Sequence, residues 1–253
     1  MRKVEQQSTL AEQRGANGPS HSPSQHGERE ASAALGGTAL RRDEQGLALV
    51  GDGMVLRGDF SQLLPRIRKG RLSSELLVRA AKVRDCAEPW AIDATAGLGE
   101  DSFLLAAAGF RVSMYESDPT VAALARDALD RAQANPDLAD IACRMELFEE
   151  DSIEAMSHLG DTPDVIYLDP MFPERRKSAA VKKKFQLIHH LEAPCQNEGA
   201  LLAAAISAGP RKVVVKRPAK GPHLAGVKPS HSLAGKAVRY DVIIPASIKV
   251  PLA

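Results

Sequence analysis

From Trp90 onward, short apolar runs alternate with stretches whose apolar residues recur at helical spacing, the pattern of a parallel sheet with crossover helices. AIDAT predicts a first strand, and DSFLLAAAG, after a Gly-rich turn, a short helix that Gly109 ends. RVSMYES predicts a second strand, and PTVAALARDALDRAQA a helix with Asp118 as N-cap and Pro119 in its first position. RMELFEE is a third strand, SIEAMSHL a short helix, and DVIYLDP a fourth strand that is apolar throughout. Helices are expected over about 179–191 and 199–208, before KVVVKRP, a fifth buried strand. RYDVIIP closes the sheet, and the Gly and Pro residues between Gly221 and Gly235 form loops or a late hairpin. The fold class is α/β: an open, doubly wound, mostly parallel sheet.

Ahead of this region the pattern weakens. Residues 1–44 are rich in Gln, Ser, Gly, Ala and His and hold too little apolar surface to offset chain entropy, so they read as a flexible tail. Residues 45–88 read as a small extension: two apolar runs around Gly51-Asp52-Gly53, between Leu47 and Phe60, predict a hairpin, and Leu76, Leu77 and Ala80 mark a helix over about 73–83. The main domain then spans 89–253.

Composition excludes more than it assigns. Three cysteines, Cys86, Cys143 and Cys195, lack zinc-site spacing and read as reduced thiols, so no metal is expected. No apolar stretch approaches the roughly 20 residues of a membrane span, and the start lacks a signal-like apolar run, so a soluble, cytoplasmic protein with no membrane partner is expected.

In doubly wound sheets ligands lie beyond the carboxyl ends of the strands. Asp93-Ala94-Thr95-Ala96-Gly97-Leu98-Gly99 leads from the first strand into a helix, with Gly97 and Gly99 letting backbone approach a ligand closely. Glu116 ends the second strand, where a carboxylate can accept both hydroxyls of an adenosine ribose. A dinucleotide and S-adenosylmethionine both fit that pairing. Glu100 and Asp101, directly after Gly99, would repel a diphosphate at the helix start, whereas S-adenosylmethionine carries a sulfonium and an ammonium and no phosphate. Asp93, Asp101 and a carboxylate-rich rim suit that cation, and Asp151-Ser152 after the third strand sits where an adenine amine is met. Each acid could instead be a solvated helix cap.

The fourth strand ends Asp169-Pro170-Met171-Phe172-Pro173, which resembles the (Asp/Asn)-Pro-Pro-(Tyr/Phe) motif of amino-methyltransferases, with Met171 for the second Pro. A base amine attacking a sulfonium methyl must pyramidalise and gain positive charge. An Asp169 oxygen and the Pro170 carbonyl can accept its two hydrogens, and Phe172 can stack on the base, a contact worth roughly 1 to 3 kcal/mol. The bland alternative is an ordinary Asp-Pro turn. From Asp93 to Asp169 there are 17 acidic and 4 basic residues, and from Pro170 to Lys236 there are 13 basic and 3 acidic. Arg175, Arg176, Lys177, Lys182, Lys183 and Lys184 follow the motif, and Lys216-Arg217 ends the fifth strand on the same edge, where a polyanionic backbone would lie.

Four segments, DATAGLGED, YLDPMFPERRKSAAVKKK, VVVKRP and GKAVRYDV, carry a more specific resemblance. From about Ile92 to Ile244 the chain resembles the RsmJ (YhiQ) family of bacterial small-subunit rRNA guanine-N(2)-methyltransferases, although Glu100 stands where that family usually has Arg. The resemblance implies the class I S-adenosylmethionine-dependent methyltransferase fold, the cofactor at the glycine loop, Glu116-Ser117, Asp151-Ser152 and Asp169, and small-subunit ribosomal RNA or a ribosomal particle as partner. Competing readings are an amine methyltransferase of DNA or protein, a nucleotide-dependent oxidoreductase, and a non-catalytic RNA-binding protein on the same fold.

Overall fold

Alternation of apolar and polar residues produces one-sided strands, and the first of these come earlier than expected. The computed structural model describes residues 38–51, 53–170 and 197–247. β1 (Thr38–Asp43), β2 (Gly46–Gly51) and β3 (Met54–Leu56) form a three-stranded antiparallel sheet in that order. The expected hairpin is the β2–β3 pair, while β1 falls within the stretch read as a tail. After α1 (Leu64–Ile67) and a 3-10 turn at Leu72–Ser74, the helix expected over 73–83 forms as α2 (Leu76–Ala81).

The main sheet holds seven strands: β4 (Trp90–Asp93), β5 (Arg111–Tyr115), β6 (Met145–Phe148), β7 (Val165–Leu168), β8 (Lys212–Pro218), β9 (His231–Ala234) and β10 (Val238–Ile243). Their order is β6-β5-β4-β7-β8-β10-β9. The first five are mutually parallel, and β10 runs antiparallel to both neighbours. RYDVIIP therefore does not close the sheet; the late hairpin places β9 outside it as the edge.

Between the strands run α3 (Glu100–Ala107), α4 (Pro119–Gln133), the short α5 (Ala139–Ala142), α6 (Ser152–Ser157) and α7 (Glu198–Ser207). Asp118 caps α4 by accepting from the Thr120 and Val121 amides, with Pro119 in the first turn, as its sequence predicts. One core cluster joins the sheet to α2, α3 and α4 through Phe103, Leu105, Val112, Tyr167 and Val214. A second joins the opposite face to α6 and α7 through Ile166, Leu168, Val213, Val215 and Leu202. The small sheet packs Leu49 and Leu56 on Val121 and Leu124 of α4. Buried Asp127 of α4 pins it there, accepting from Arg42 at 2.6 Å and from Arg131 at 2.8 Å. Arg131 also donates to the Gly58 carbonyl. The helix expected over 179–191 lies outside the described residues.

β5 and β6 lie on one side of β4, and β7 and β8 on the other. The chain order reverses between β4 and β7, so the crevice beyond their carboxyl ends is the expected ligand position.

Candidate active site

Strand alternation decides which side chains meet at that crevice. Tyr167 and Val214 belong to the α3 face, so Asp169 and Lys216, two residues further along their strands, emerge on it too. The Asp169 amide donates to Thr95 Oγ1 at 2.7 Å. Lys216 Nζ lies 2.8 Å from Asp169 Oδ2 and 2.8 Å from Asp101 Oδ2. The Tyr167 hydroxyl donates to the same Asp101 oxygen at 2.6 Å. Burial pushes the Asp169 carboxyl above the usual range, opposed by the Lys216 ammonium. Burial also works to lower the Lys216 pKa, but the Asp101 and Asp169 carboxylates outweigh it and raise it. Tyr167 is fully buried beside these acids, and its pKa stands well above the phenolic range.

These contacts revise three expectations. Asp101 is not a solvated cap, because Tyr167 and Lys216 both bind it. Lys216 turns inward between two carboxylates instead of out toward a polyanion. Arg217 goes to the opposite face, 1% exposed, where it donates to the Pro222 carbonyl at 2.9 Å and to Glu198 at 3.4 Å. A solvent-facing Lys216-Arg217 pair does not form, because adjacent strand residues point to opposite sides.

At the glycine loop, Asp93 is 1% exposed. It accepts from Ser102 Oγ at 2.5 Å and from the Thr95 amide at 3.2 Å, which ties the turn to α3. Burial, with the charges of Asp101 and Asp169 behind it, pushes its pKa up to about 7 against those two bonds. Buried Glu116 accepts from the Gly97 amide at 2.9 Å through Oε2 and from the Asp118 amide at 2.8 Å through Oε1. Its pKa is raised by burial and restrained by those amides.

The loop fits a nucleoside-bearing cation. Gly97 has φ +54 and a Cβ there would meet nothing within 4 Å, so its backbone faces open space. Gly99, at φ +79, lies where a Cβ would come within 2.9 Å of Met114 Cε, so it serves close packing as well as the turn. The Glu116 carboxylate has lone pairs beyond those its backbone donors occupy, open to a hydroxyl donor. Ser117 and Glu100 are exposed at the mouth. Asp151 caps α6, accepting the Ile153 and Glu154 amides through Oδ1, with Ser152 opening the helix. The cap alternative thus holds for part of Asp151. It also borders a cavity of about 580 Å³ with Tyr115, Phe148 and His158.

Pro170 is buried directly after Asp169. Phe172, Arg175, Arg176, Lys177, Lys182, Lys183 and Lys184 lie outside the described residues. Thr95, Ser102 and Tyr167 do not stand out in the sequence as site residues, although a tyrosine two positions before Asp169 in an otherwise aliphatic strand is a signal. Among the described residues, no group of three or more His, Cys, Asp or Glu is placed to hold a metal, and no helix is long and apolar enough to cross a membrane.

Comparison with known proteins agrees with this geometry. The SAM_MT family model, SAM-dependent methyltransferase, matches residues 37–245. Ribosomal RNA small subunit methyltransferase J of Neisseria meningitidis serogroup C is 43% identical over 206 residues, 80% of this chain and 82% of that protein. Its counterpart in Stutzerimonas stutzeri is 47% identical over 171 residues, 67% of this chain and 66% of that protein. The crystal structure of a SAM-dependent methyltransferase from Neisseria gonorrhoeae superposes with a TM-score of 0.70 at 34% identity, covering 88% of this chain and 89% of that one. The chain belongs to the family of S-adenosylmethionine-dependent methyltransferases that includes ribosomal RNA small subunit methyltransferase J.

Proposed function

We propose that the protein methylates the exocyclic 2-amino group of a guanine in small-subunit ribosomal RNA. The observation that carries the reading is Asp169 at the end of β7, its backbone anchored on Thr95 and its carboxylate held by Lys216, beside the glycine loop. The names of relatives 43% to 47% identical point to small-subunit ribosomal RNA. The Asp169-Pro170-Met171-Phe172 motif points to an amine as the methyl acceptor.

Glu116 would hold the ribose hydroxyls of S-adenosylmethionine, Asp151 and Ser152 its adenine edge, and the Gly97 backbone, with Glu100 and Ser117 at the mouth, the rest. Bound there, the cofactor supplies a methyl group activated by a positive sulfonium. The protein's own part is positioning and charge. An Asp169 oxygen accepts one amine hydrogen while the Pro170 carbonyl accepts the other, which aims the nitrogen lone pair away from both. The acceptors bind more tightly as the nitrogen becomes cationic, so their effect falls on the transition state. Phe172 would stack on the guanine, and Arg175, Arg176, Lys177 and Lys182 to Lys184 would meet the RNA backbone. Asp93, fully enclosed and bonded to Ser102, shapes the loop from behind.

Transfer of labelled methyl groups to unmodified small-subunit rRNA, duplex DNA and bulk protein, compared side by side, tests the substrate class. RNA should be labelled and its guanosine recovered as N2-methylguanosine; label confined to DNA or protein would refute the reading.

A further inference from the structure

We infer that Lys216 is a positioning residue for methyl transfer, an ammonium that clamps Asp169 Oδ2 so that Asp169 Oδ1 alone is presented to the acceptor amine. The inference rests on the proposed role of Asp169 and assigns Lys216 to the reacting end instead of to the RNA backbone.

The geometry is specific. Lys216 Nζ is 2.8 Å from Asp169 Oδ2, and the same nitrogen is 2.8 Å from Asp101 Oδ2. Asp101 is itself fixed by the Tyr167 hydroxyl at 2.6 Å. The clamp therefore has a rigid far end: a carboxylate on α3, oriented by a tyrosine on β7 and joined to the ammonium on β8. Asp169 is restrained at two points, its amide on Thr95 and its Oδ2 on Lys216, which leaves Oδ1 as its other acceptor. The Lys216 side chain is about three-quarters buried, at 26% exposure, so its charge is poorly placed to follow a flexible phosphate chain.

Charge gives the clamp a second effect. Asp101 and Asp169 face one cation between them, and removing it would leave two partly buried carboxylates close together, which favours proton uptake by Asp169. Other groups in electrostatic reach are Asp93 on β4, Tyr240 on β10, Arg66 on α1 and Arg217 on the far face of β8. None of them makes a hydrogen bond to Asp169 among the described residues, so none substitutes for Lys216. A protonated Asp169 would offer one acceptor fewer to the amine.

The test follows the pH dependence of the single-turnover rate at saturating RNA and cofactor in the parent, Lys216→Met, Lys216→Arg and Lys216→Met with Asp101→Asn, all checked for folding. Lys216→Met should lower the rate at least tenfold at pH 7 and move the acid limb of the profile to higher pH. RNA affinity and its salt slope should stay at parental values. Lys216→Arg should keep the limb in place, and adding Asp101→Asn to Lys216→Met should return it partway, because the second carboxylate is gone. A merely structural lysine would produce neither the displaced limb nor its partial return. The Asp169 carboxyl, assigned against Asp169→Asn and titrated by 13C NMR, provides a readout that needs no substrate. Its midpoint should rise in Lys216→Met. If the parent labels no RNA, the proposed function fails while this titration still decides the clamp. An unmoved midpoint with a parallel rate profile would overturn the inference. So would parental turnover in Lys216→Met accompanied by weaker RNA binding and a flatter salt slope, the signature of a phosphate contact.

Discussion

Glu116→Gln is a small change with a large expected effect. The parent carboxylate takes the Gly97 amide on one oxygen at 2.9 Å and the Asp118 amide on the other at 2.8 Å. A carboxamide has one acceptor oxygen and an NH2 that only donates. In either rotamer the NH2 cannot accept, so in the complex one of the two ribose hydroxyls loses its acceptor, while the amide facing that NH2 loses its bond in the free protein as well. Loss of one hydrogen bond to a charged acceptor costs about 1.5 to 3 kcal/mol. At 1.4 kcal/mol per decade, that is roughly a 10- to 150-fold weaker Kd. Calorimetric titration with S-adenosylhomocysteine reads the change directly, with a thermal melt of the unliganded variant as the folding control. Affinity within twofold of the parent, in a normally folded variant, would refute the placement of the ribose at Glu116.

Asp93, at a pKa of about 7 against 3.8 unfolded, keeps a proton that the unfolded chain has released. Its contribution to stability is therefore complete below pH 3.8 and lost as pH rises through about 7. Asp93→Asn, whose amide can still accept from Thr95 and donate to Ser102, should flatten the stability profile over that window and be the more stable form at pH 8, by up to a few kcal/mol, in urea unfolding. Arg239→Ala should destabilise by about 3 kcal/mol, because it leaves buried Asp241 with only Ser232 and His223 as partners. It also removes the Arg239 donor from the carbonyls of Ala219 and Gly221, and parental chemical stability would contradict that. Replacing Lys182, Lys183 and Lys184 with Gln should reduce the magnitude of the log–log salt slope of RNA binding by about 0.7 to 0.9 for each phosphate no longer neutralised, with cofactor affinity intact. An unchanged slope would make the run a solvated face. Phe172→Ala should weaken RNA binding more than it lowers turnover at saturating RNA; the reverse split would remove its stacking role.

Features set by neighbouring residues are legible in the sequence. Asp118 and Pro119 start α4 through bonds two and three residues away, and the apolar runs VIYL and VVV declare themselves as buried strands. Asp93, Glu116 and Asp169 are recognisable as groups at strand ends because each terminates or directly follows an apolar run. β1 escapes a reading by pattern because TALRRD is buried only at Thr38 and exposed from Arg41 onward, and β9 because HSLA has one half-buried leucine and no apolar face to advertise an edge strand. The roles of Lys216 and Asp101 are illegible for a different reason. They are 115 residues apart, and only the height of α3 over the sheet brings them together. Lys216-Arg217 looks like one basic patch because composition ignores alternation, which sends the two side chains to opposite faces.

The most direct test is mass mapping of small-subunit rRNA nucleosides from cells lacking the gene, complemented with the parent or with Asp169→Ala. One N2-methylguanosine should vanish in the deletion, return with the parent and stay absent with the folded Asp169→Ala protein. Unchanged rRNA modification in the deletion, or full restoration by Asp169→Ala, would contradict guanine methylation at Asp169.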